Sequence, residues 1–368
     1  MKNLRKLLAV IVVVAVMLTY AIPAFAAVPS DVIGTDYEDA VTRLVALGIV
    51  TGRPDGTYAP NDTISRAEFA ALVVRSLGYE SAAAAAKGQT KFSDVASSYW
   101  ASGYINLATG LGVIKGRPDG TFGPDDKVLY EEAVTMVVRA LGYEPAATAK
   151  GGYPTGYLVV ANEEGVTDGA TTAAGTQASR GLVAKLLDNS LEIPLMIQVG
   201  YGSETKYVKS GTEGTTEKTL LDDKLKLDVK EVTVVSVDTD ENTIEVDDGD
   251  DIVTYDVFAG LSVAGLENAL ATLWVKNDVV YNIKINTTIK YDFISEVNGD
   301  DVDVTASSIT KMKLEGLGKS YYTADNKKIL VNKSEVASGA VPSLVDSFAK
   351  VYIKDSKIFR VEAYVLSS

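Results

Sequence analysis

The stretch Gly52-Arg53-Pro54-Asp55-Gly56-Thr57-Tyr58-Ala59-Pro60 returns 64 residues later as Gly116-Arg117-Pro118-Asp119-Gly120-Thr121-Phe122-Gly123-Pro124, and the same offset carries Leu77-Gly78-Tyr79 onto Leu141-Gly142-Tyr143. A constant offset across separated segments marks a duplicated structural unit. Within each copy Pro-Asp-Gly is turn chemistry: Pro presets φ, Asp bonds nearby backbone, and Gly accepts φ > 0. The aromatic that follows, Tyr58 or Phe122, then points back towards a core.

The flanks of this turn read as short helices. Upstream, Tyr37, Ala40, Val41, Leu44 and Leu47 keep amphipathic helical spacing, and Gly48 is placed to end the helix. Downstream, Ser65-Arg66-Ala67-Glu68 reads as a capping box opening a helix with Phe69, Leu72, Val73 and Leu77 on its inner face. The Ala-rich stretch 81–89 is a linker or a frayed helix extension. The second unit enters through Phe92-Ser93-Asp94-Val95 and Tyr99-Trp100, and its second helix turns Ala133, Met136, Val137, Ala140 and Leu141 inwards. Here Tyr130-Glu131-Glu132 stands where Arg66-Ala67-Glu68 stood. A third, eroded unit follows: Tyr157, Ala161 and Gly165 match Tyr104, Ala108 and Gly112 at an offset of 53, residues 167–177 replace the Arg-Pro-Asp-Gly turn, and Ser179-Arg180 restores the cap and the Arg.

These linked motifs, in order and twice complete, resemble the S-layer homology (SLH) domain of bacterial cell-surface proteins over residues 30–195. The resemblance implies a multidomain α + β protein. Its N-terminal part would be an all-α, pseudo-threefold set of three helix pairs (30–80, 92–145 and a divergent 150–195), with sugar-binding grooves between neighbours. It further implies non-covalent anchoring to secondary cell-wall polymer attached to peptidoglycan, through a pyruvylated amino sugar, with Arg66 and Arg180 as ligand contacts. The expected ligand set also takes in Ser65, Ser179, Asp31, Asp94, Arg53, Arg117, Gly52, Gly116 and Trp100.

The residues themselves give Arg66 and Arg180 a physical reason to bind anions. Each is the first residue of a helix, where a cation opposes the macrodipole and backbone N–H groups lack partners. A carboxylate or phosphate ligand would turn both features into assets. The plain alternative is a surface Arg paired with a nearby acid. Trp100 reads equally as a platform for a sugar or as a buried anchor at helix entry.

Composition narrows the chemistry. Lys2, Arg5 and Lys6 precede an apolar run from Leu7 to Leu18, and Ala24-Phe25-Ala26 is a small-residue cleavage site, so residues 1–26 read as a secretory signal peptide. A retained anchor is the rival, and the run is short for a span; no later segment is apolar enough to cross a bilayer. The 368 residues contain no Cys and no His, which excludes disulfides, thiolate and imidazole metal sites and Ser-His-Asp catalysis. The net charge is −14 and both halves are acidic, so nucleic acid is not an expected partner and any anionic polymer must be held by local cations.

Beyond Leu195 the texture becomes β-rich. Val232, Val234 and Val237, then Tyr255 and Val257, Ile283 and Ile285, and Ile289, Tyr291 and Phe293 alternate as half-buried strands do. The expected form is sandwich-like, with 266–273 as its one sizeable helix. The segment 274–285 resembles 352–363 at an offset of 78, which suggests two related units at about 225–288 and 289–368. Asp238, Asp240 and Asn242 have EF-hand spacing, but Thr243 and Gly249 stand where that loop needs Gly and Glu. A looser Ca2+ site at Asp247, Asp248, Asp250 and Asp251 is set against a solvated acidic turn. Otherwise no cofactor is expected. Two functions follow: a structural surface protein whose helical half anchors and whose β half makes lattice or self-assembly contacts, or an anchored carbohydrate-active enzyme. The β half has one Trp, Trp274, and no paired-carboxylate motif, which favours the structural protein. The mature chain is expected to begin at Ala27. N-terminal sequencing of the protein from envelope fractions checks this, and a sequence beginning at Met1 would overturn it.

Overall fold

The computed structural model describes residues 28–365 except 201, 203–204, 259–260, 300–304, 333, 337–343 and 355; the side chains of Ile289, Ala306, Asp325 and Asn326 are also outside the described set. The signal sequence and the start at Ala27 lie outside the described residues. The chain forms two compact units, one of residues up to Leu227 with Phe258–Leu261 and one of Asp228–Val257 with 262 onwards. Among the described residues no helix is long and apolar enough to cross a membrane.

The first unit holds α1 (Glu38–Ala46), α2 (Arg66–Ser76), α3 (Glu80–Ala85), α4 (Ser102–Gly110), α5 (Tyr130–Ala140), α6 (Glu144–Ala149), α7 (Thr155–Glu163) and α8 (Arg180–Ser190). The sequence's helix pairs are present, but the close packing is between repeats: α4 lies on α2, α7 on α5, and α1 on α8. The first helix of each repeat therefore buries its apolar stripe against the second helix of another, and the series closes on itself. Leu44, Phe69, Ile105, Val137, Tyr157 and Leu187 are among the buried residues. Gly78 and Gly142, both at positive φ, end α2 and α5 where a Cβ would sit 2.3 Å from the carbonyl oxygens of Lys224 and Met196.

The loops before α2, α5 and α8 meet in a ring of backbone bonds. Ile64 N–H donates to the Ala178 carbonyl, Ala178 N–H to Val128, and Val128 N–H to Ile64. The turns are clamped from below. Asp31 accepts from Tyr58 and Ala59 N–H at 2.7 Å each, and Asp94 accepts from Phe122 and Gly123 N–H at 2.8 and 2.7 Å.

The second unit contains two successive β-barrels. In barrel 1, β3 (Asp228–Asp238), β4 (Thr243–Asp247), β5 (Ile252–Val257), β6 (Leu270–Lys276) and β7 (Val279–Ile285) close in the order β3-β4-β5-β7-β6. In barrel 2, β8 (Thr288–Val297), β9 (Lys311–Leu314), β10 (Lys319–Val331), β12 (Phe348–Lys354) and β13 (Lys357–Tyr364) pair as β9-β8-β12-β13-β10, the β9–β10 pairing closes the ring, and β11 (Ser334–Glu335) is added at its edge. The plan is the same in both, down to one parallel pair, β5 with β7 and β10 with β13. The earlier strands β1 (Met196–Gln198) and β2 (Tyr207–Lys209) form a separate hairpin in the first unit.

Three expectations are corrected. The β half is not a sandwich, because each five-strand set closes on itself. Residues 266–273 are not a helix: a tight turn at Leu266–Ala269 leads straight into β6, and the apolar run that mimicked a helix is a strand buried on both faces at Leu273 and Trp274. Tyr291 and Phe293 do not face the core; they are 60% and 46% exposed, while Ile294 and Val297 point inwards. The skip in Val232, Val234 and Val237 has a local cause, a register shift between Val234 and Ser236.

Burial pushes the Asp31 and Asp94 carboxyls up, but the backbone N–H groups of the turns pull harder and leave both below the ordinary value. A lowered folded pKa gives stability that is complete above the unfolded value, about 3.9, and lost as pH falls through the folded value. Replacing both by Asn, which offers each turn one acceptor and one conflicting NH2, should lower the Tm of the helical unit by about 4 to 8 °C at pH 7. The gap from wild type should shrink below about pH 4, which thermal scans across pH would show.

Candidate functional site

At two joints between repeats the same set of side chains converges. At the first, the turn at Gly52-Arg53-Pro54 faces Arg180, Glu68, Arg75 and Trp100 around a cavity of about 330 Å3. At the second, the turn at Gly116-Arg117-Pro118 faces Arg66, Glu132, Arg139 and Tyr153 around about 210 Å3. The arginine at each comes from a different repeat than the turn: α8 serves the first repeat's turn and α2 the second's.

Each arginine is held in three ways. Arg66 Nε donates to the Phe122 carbonyl at 3.0 Å, its guanidinium lies 5.1 Å from the Phe122 ring centroid, and Nη1 sits 3.3 Å from Glu132. Arg180 Nε donates to the Tyr58 carbonyl at 2.9 Å, stacks 4.6 Å from the Tyr58 ring, and faces Glu68 at 3.8 Å. Arg66 is 8% exposed, and burial lowers its pKa against the opposing pull of Glu132. Tyr58, whose hydroxyl donates to the Arg180 carbonyl, is pushed up to about 12 by burial despite the nearby guanidinium.

Two sequence expectations are thereby corrected. The helix N-termini are not free for an anion: Arg66 N–H donates to Asp126, Ala67 N–H to Pro124, and Glu68 N–H to the Ser65 hydroxyl. At α8 the corresponding acceptors are Asp62, Pro60 and Ser179. Nor are the arginines unexplained by stability, since both staple one repeat's helix to another's turn. Positive charge in the grooves comes from guanidinium and ammonium groups alone.

The remaining expected residues divide. Ser65 and Ser179 are N-caps, and the capping box with Glu68 is present. Asp31 and Asp94 have both carboxylate oxygens engaged by turn N–H groups and so shape the turns. Arg53 and Arg117 line the grooves while pairing with Asp62 and Asp126. Gly116 is required by packing, because a Cβ would fall 2.1 Å from the Phe92 ring, whereas Gly52 has its nearest such contact at 3.4 Å. Trp100 is 49% exposed at a groove lip, not a buried anchor. The acidic turn is closed by its own backbone: Asp247 accepts from Gly249 N–H, Asp248 from Asp250 and Asp251 N–H, and among the described residues no group of three or more carboxylates gathers as a metal cluster would.

Sequence reasoning passed over Arg75, Arg139 and Tyr153, although the signal was present. Arg75 and Glu80 recur as Arg139 and Glu144 at the offset of 64, and Trp100 recurs as Tyr153 at the offset of 53. Arg75 pairs with Glu80 and Tyr104; Arg139 pairs with Glu144 and Tyr157. At the third joint every counterpart differs: Tyr130 replaces the first-turn Arg, Leu182 the Glu, Asn189 the later Arg, and the loop 167–177 has no Arg.

A closed set of helical repeats with basic, aromatic-lipped grooves at its joints is a binding module. The sequence model of the S-layer homology domain matches residues 30–70 and 91–134. The chain is 32% identical to the middle cell wall protein of Brevibacillus brevis over 89% of this chain and 34% of that protein. It is 31% identical to the surface layer protein of Brevibacillus choshinensis over 98% of this chain and 35% of that one, and 29% identical to a cell surface protein of Thermoanaerobacter kivui over 96% and 43%. The chain thus spans only about a third to two fifths of the length of these relatives. It belongs to the S-layer homology domain proteins and is a secreted, cell-wall-associated protein of the S-layer-like kind.

Removing a stapling arginine leaves a buried carbonyl without its donor and a ring without its cation. Arg66→Ala is expected to destabilise the helical unit by about 2 to 4 kcal/mol. Arg66→Lys should recover only part, because an ammonium cannot both bond the Phe122 carbonyl and stack flat on the ring. Denaturant unfolding of the three proteins measures both effects.

Proposed function

We propose that the helical ring is a pseudo-threefold SLH anchor in which two grooves, and not the third, hold acidic sugar units of a secondary cell-wall polymer. The observation that carries this reading is the paired occurrence of a basic cavity with an aromatic lip in a chain of net charge −14. A pyruvylated sugar supplies what the grooves ask for: a carboxylate for guanidinium forks and a ring face for Trp100 or Tyr153. The second groove keeps spare positive charge, since Lys115 and Arg139 share the single carboxylate of Glu144. The third joint lacks the Arg and Glu of the other two together. The β half then supplies the surface or lattice contacts.

Purified sacculi should retain the protein until their non-peptidoglycan polymer is stripped; undiminished binding after stripping would sink the polymer assignment. Within the protein, the exposed lip is the clean probe because its removal spares the arginine staples. Trp100→Ala and Tyr153→Ala should each weaken sacculus binding roughly tenfold, ~1.4 kcal/mol, with the Tm unchanged. Wild-type binding by the double variant would refute the grooves as the sugar sites.

A further inference from the structure

Leu-Gly-Tyr, the motif that recurs at residues 77–79 and 141–143, does more than end a helix. Gly48 and Gly112 end α1 and α4 at φ 71° and 73°, with open space where a Cβ would stand. Gly78 and Gly142 end α2 and α5 at nearly the same angles, 74° and 85°, but there the space holds a carbonyl oxygen of the later chain, that of Lys224 or of Met196. Only glycine allows so close an approach. A single segment, residues 192–227, supplies both carbonyls.

This segment reaches the C-terminal ends of α2, α5 and α8. It starts as the continuation of α8, where Leu191-Glu192 stands in the place of Leu77-Gly78 and Leu141-Gly142. Met196 N–H then donates to the Leu141 carbonyl at 2.9 Å, and the Tyr143 hydroxyl donates to the Pro194 carbonyl at 2.6 Å, so the turn that ends α5 is bonded to it twice. Lys209 in β2 pairs with Glu164 at the end of α7, 2.6 Å away. The helical turn Leu220–Lys224 lies against Gly78 at the end of α2, and Leu221 N–H returns to the Leu191 carbonyl at 3.3 Å. Leu195, Leu220, Leu221, Leu225 and Leu227 are buried along the way. The next residue, Asp228, opens β3.

We propose that residues 192–227 are a strap that takes tension: a pull on the β half enters the helical unit at Leu227 and passes to the ends of α2 and α5 before it reaches α8. A chain that ran straight on from Leu195 would pull on α8 alone, and a helix loaded at its end frays from that end. With the strap docked, the pull must first free contacts on α2, α7 and α5. Resistance to force is then set by the barrier to that release and not by equilibrium stability. The helices it grips, α2 and α5, are those that bring Glu68, Arg75, Glu132 and Arg139 to the two grooves, so the strap ties groove-lining helices to the chain that leaves for the β half. That last link rests on the sugar-groove reading above; the docking of the strap does not.

The test is single-molecule pulling on the full chain with no polymer present, so its outcome is independent of whether the grooves bind sugar. The sequence has no Cys, and Asn61→Cys with Asp228→Cys, both at exposed positions, gives two handles that load the helical unit and leave the barrels outside the path. The parent carrying these handles should show no step before the helical unit ruptures. Gly78→Ala with Gly142→Ala should add an early step at no more than half the rupture force, lengthening the chain by roughly 100 Å, the reach of the freed segment. Gly48→Ala with Gly112→Ala carries the same cost of positive φ without the collision and should leave the record as in the parent. Tyr143→Phe with Lys209→Ala strains no backbone and should produce the early step at a force between the two, which decides the matter if the first pair fails to fold. An early step of that length already present in the parent, its appearance in the Gly48/Gly112 pair, or its absence from both strap pairs overturns the proposal.

Discussion

The ring of three backbone hydrogen bonds, Ile64 to Ala178 to Val128 and back to Ile64, is the constraint from which the rest of the helical unit follows. A helix N-terminus brings N–H groups that its own turns cannot satisfy. Here those of α2, α5 and α8 are drawn to one place, and the turn carbonyls of another repeat satisfy them: Asp126 for Arg66, Thr176 for Tyr130, Asp62 for Arg180. No repeat can complete this by itself. The third repeat shows the division of labour, for it keeps everything the ring uses and lacks the turn arginine, the carboxylate and the later arginine that line a groove of its own. Thr176 still accepts, Ser179 still caps, and Arg180 still staples the first repeat's turn, while Leu182 and Asn189 stand where Glu and Arg line the other grooves.

This cyclic exchange explains which parts of the anchor were legible. Periodicity located the helices and the capping box, because those depend on residues three and four apart. The grooves were not legible as units, since the sequence groups Arg66 with Gly52-Arg53 while the fold pairs it with Gly116-Arg117. The arginines looked costly for the same reason: the acceptor carbonyl and the ring that hold Arg180 belong to Tyr58, 122 residues away. A reading confined to one repeat could see the macrodipole and not the staple.

The β half failed to yield to periodicity for a different reason. A strand with apolar residues on both faces gives two period-two patterns, and nothing local says which faces the core. Tyr291 and Phe293 were the more conspicuous set, yet Ile294 and Val297 fill the barrel. The mistaken helix at 266–273 has the same origin, because the run leads into a strand that buries consecutive residues, Leu273 and Trp274. The offset of 78 was the better guide: it falls on β6–β7 and β12–β13, the hairpins that occupy corresponding places in the two rings.

The electrostatics of the grooves decide what kind of binding they can support. Nearly every groove cation already has a carboxylate: Asp62 on Arg53, Asp126 on Arg117, Glu80 on Arg75, Glu144 on Arg139. An incoming anion therefore exchanges for an existing partner, and the net gain per exposed pair is small, about 0 to 1 kcal/mol. Charge alone would make a weak and salt-sensitive site. What the structure adds is duplication on a rigid frame, two like grooves fixed by one hydrogen-bond ring. Against a polymer that repeats its acidic unit, the second groove engages at an effective concentration set by the polymer, and avidity can exceed either single affinity by roughly 10² to 10⁴. The frame that forces Arg66 and Arg180 to serve neighbouring repeats is thus the same frame that sets the two grooves at a fixed separation.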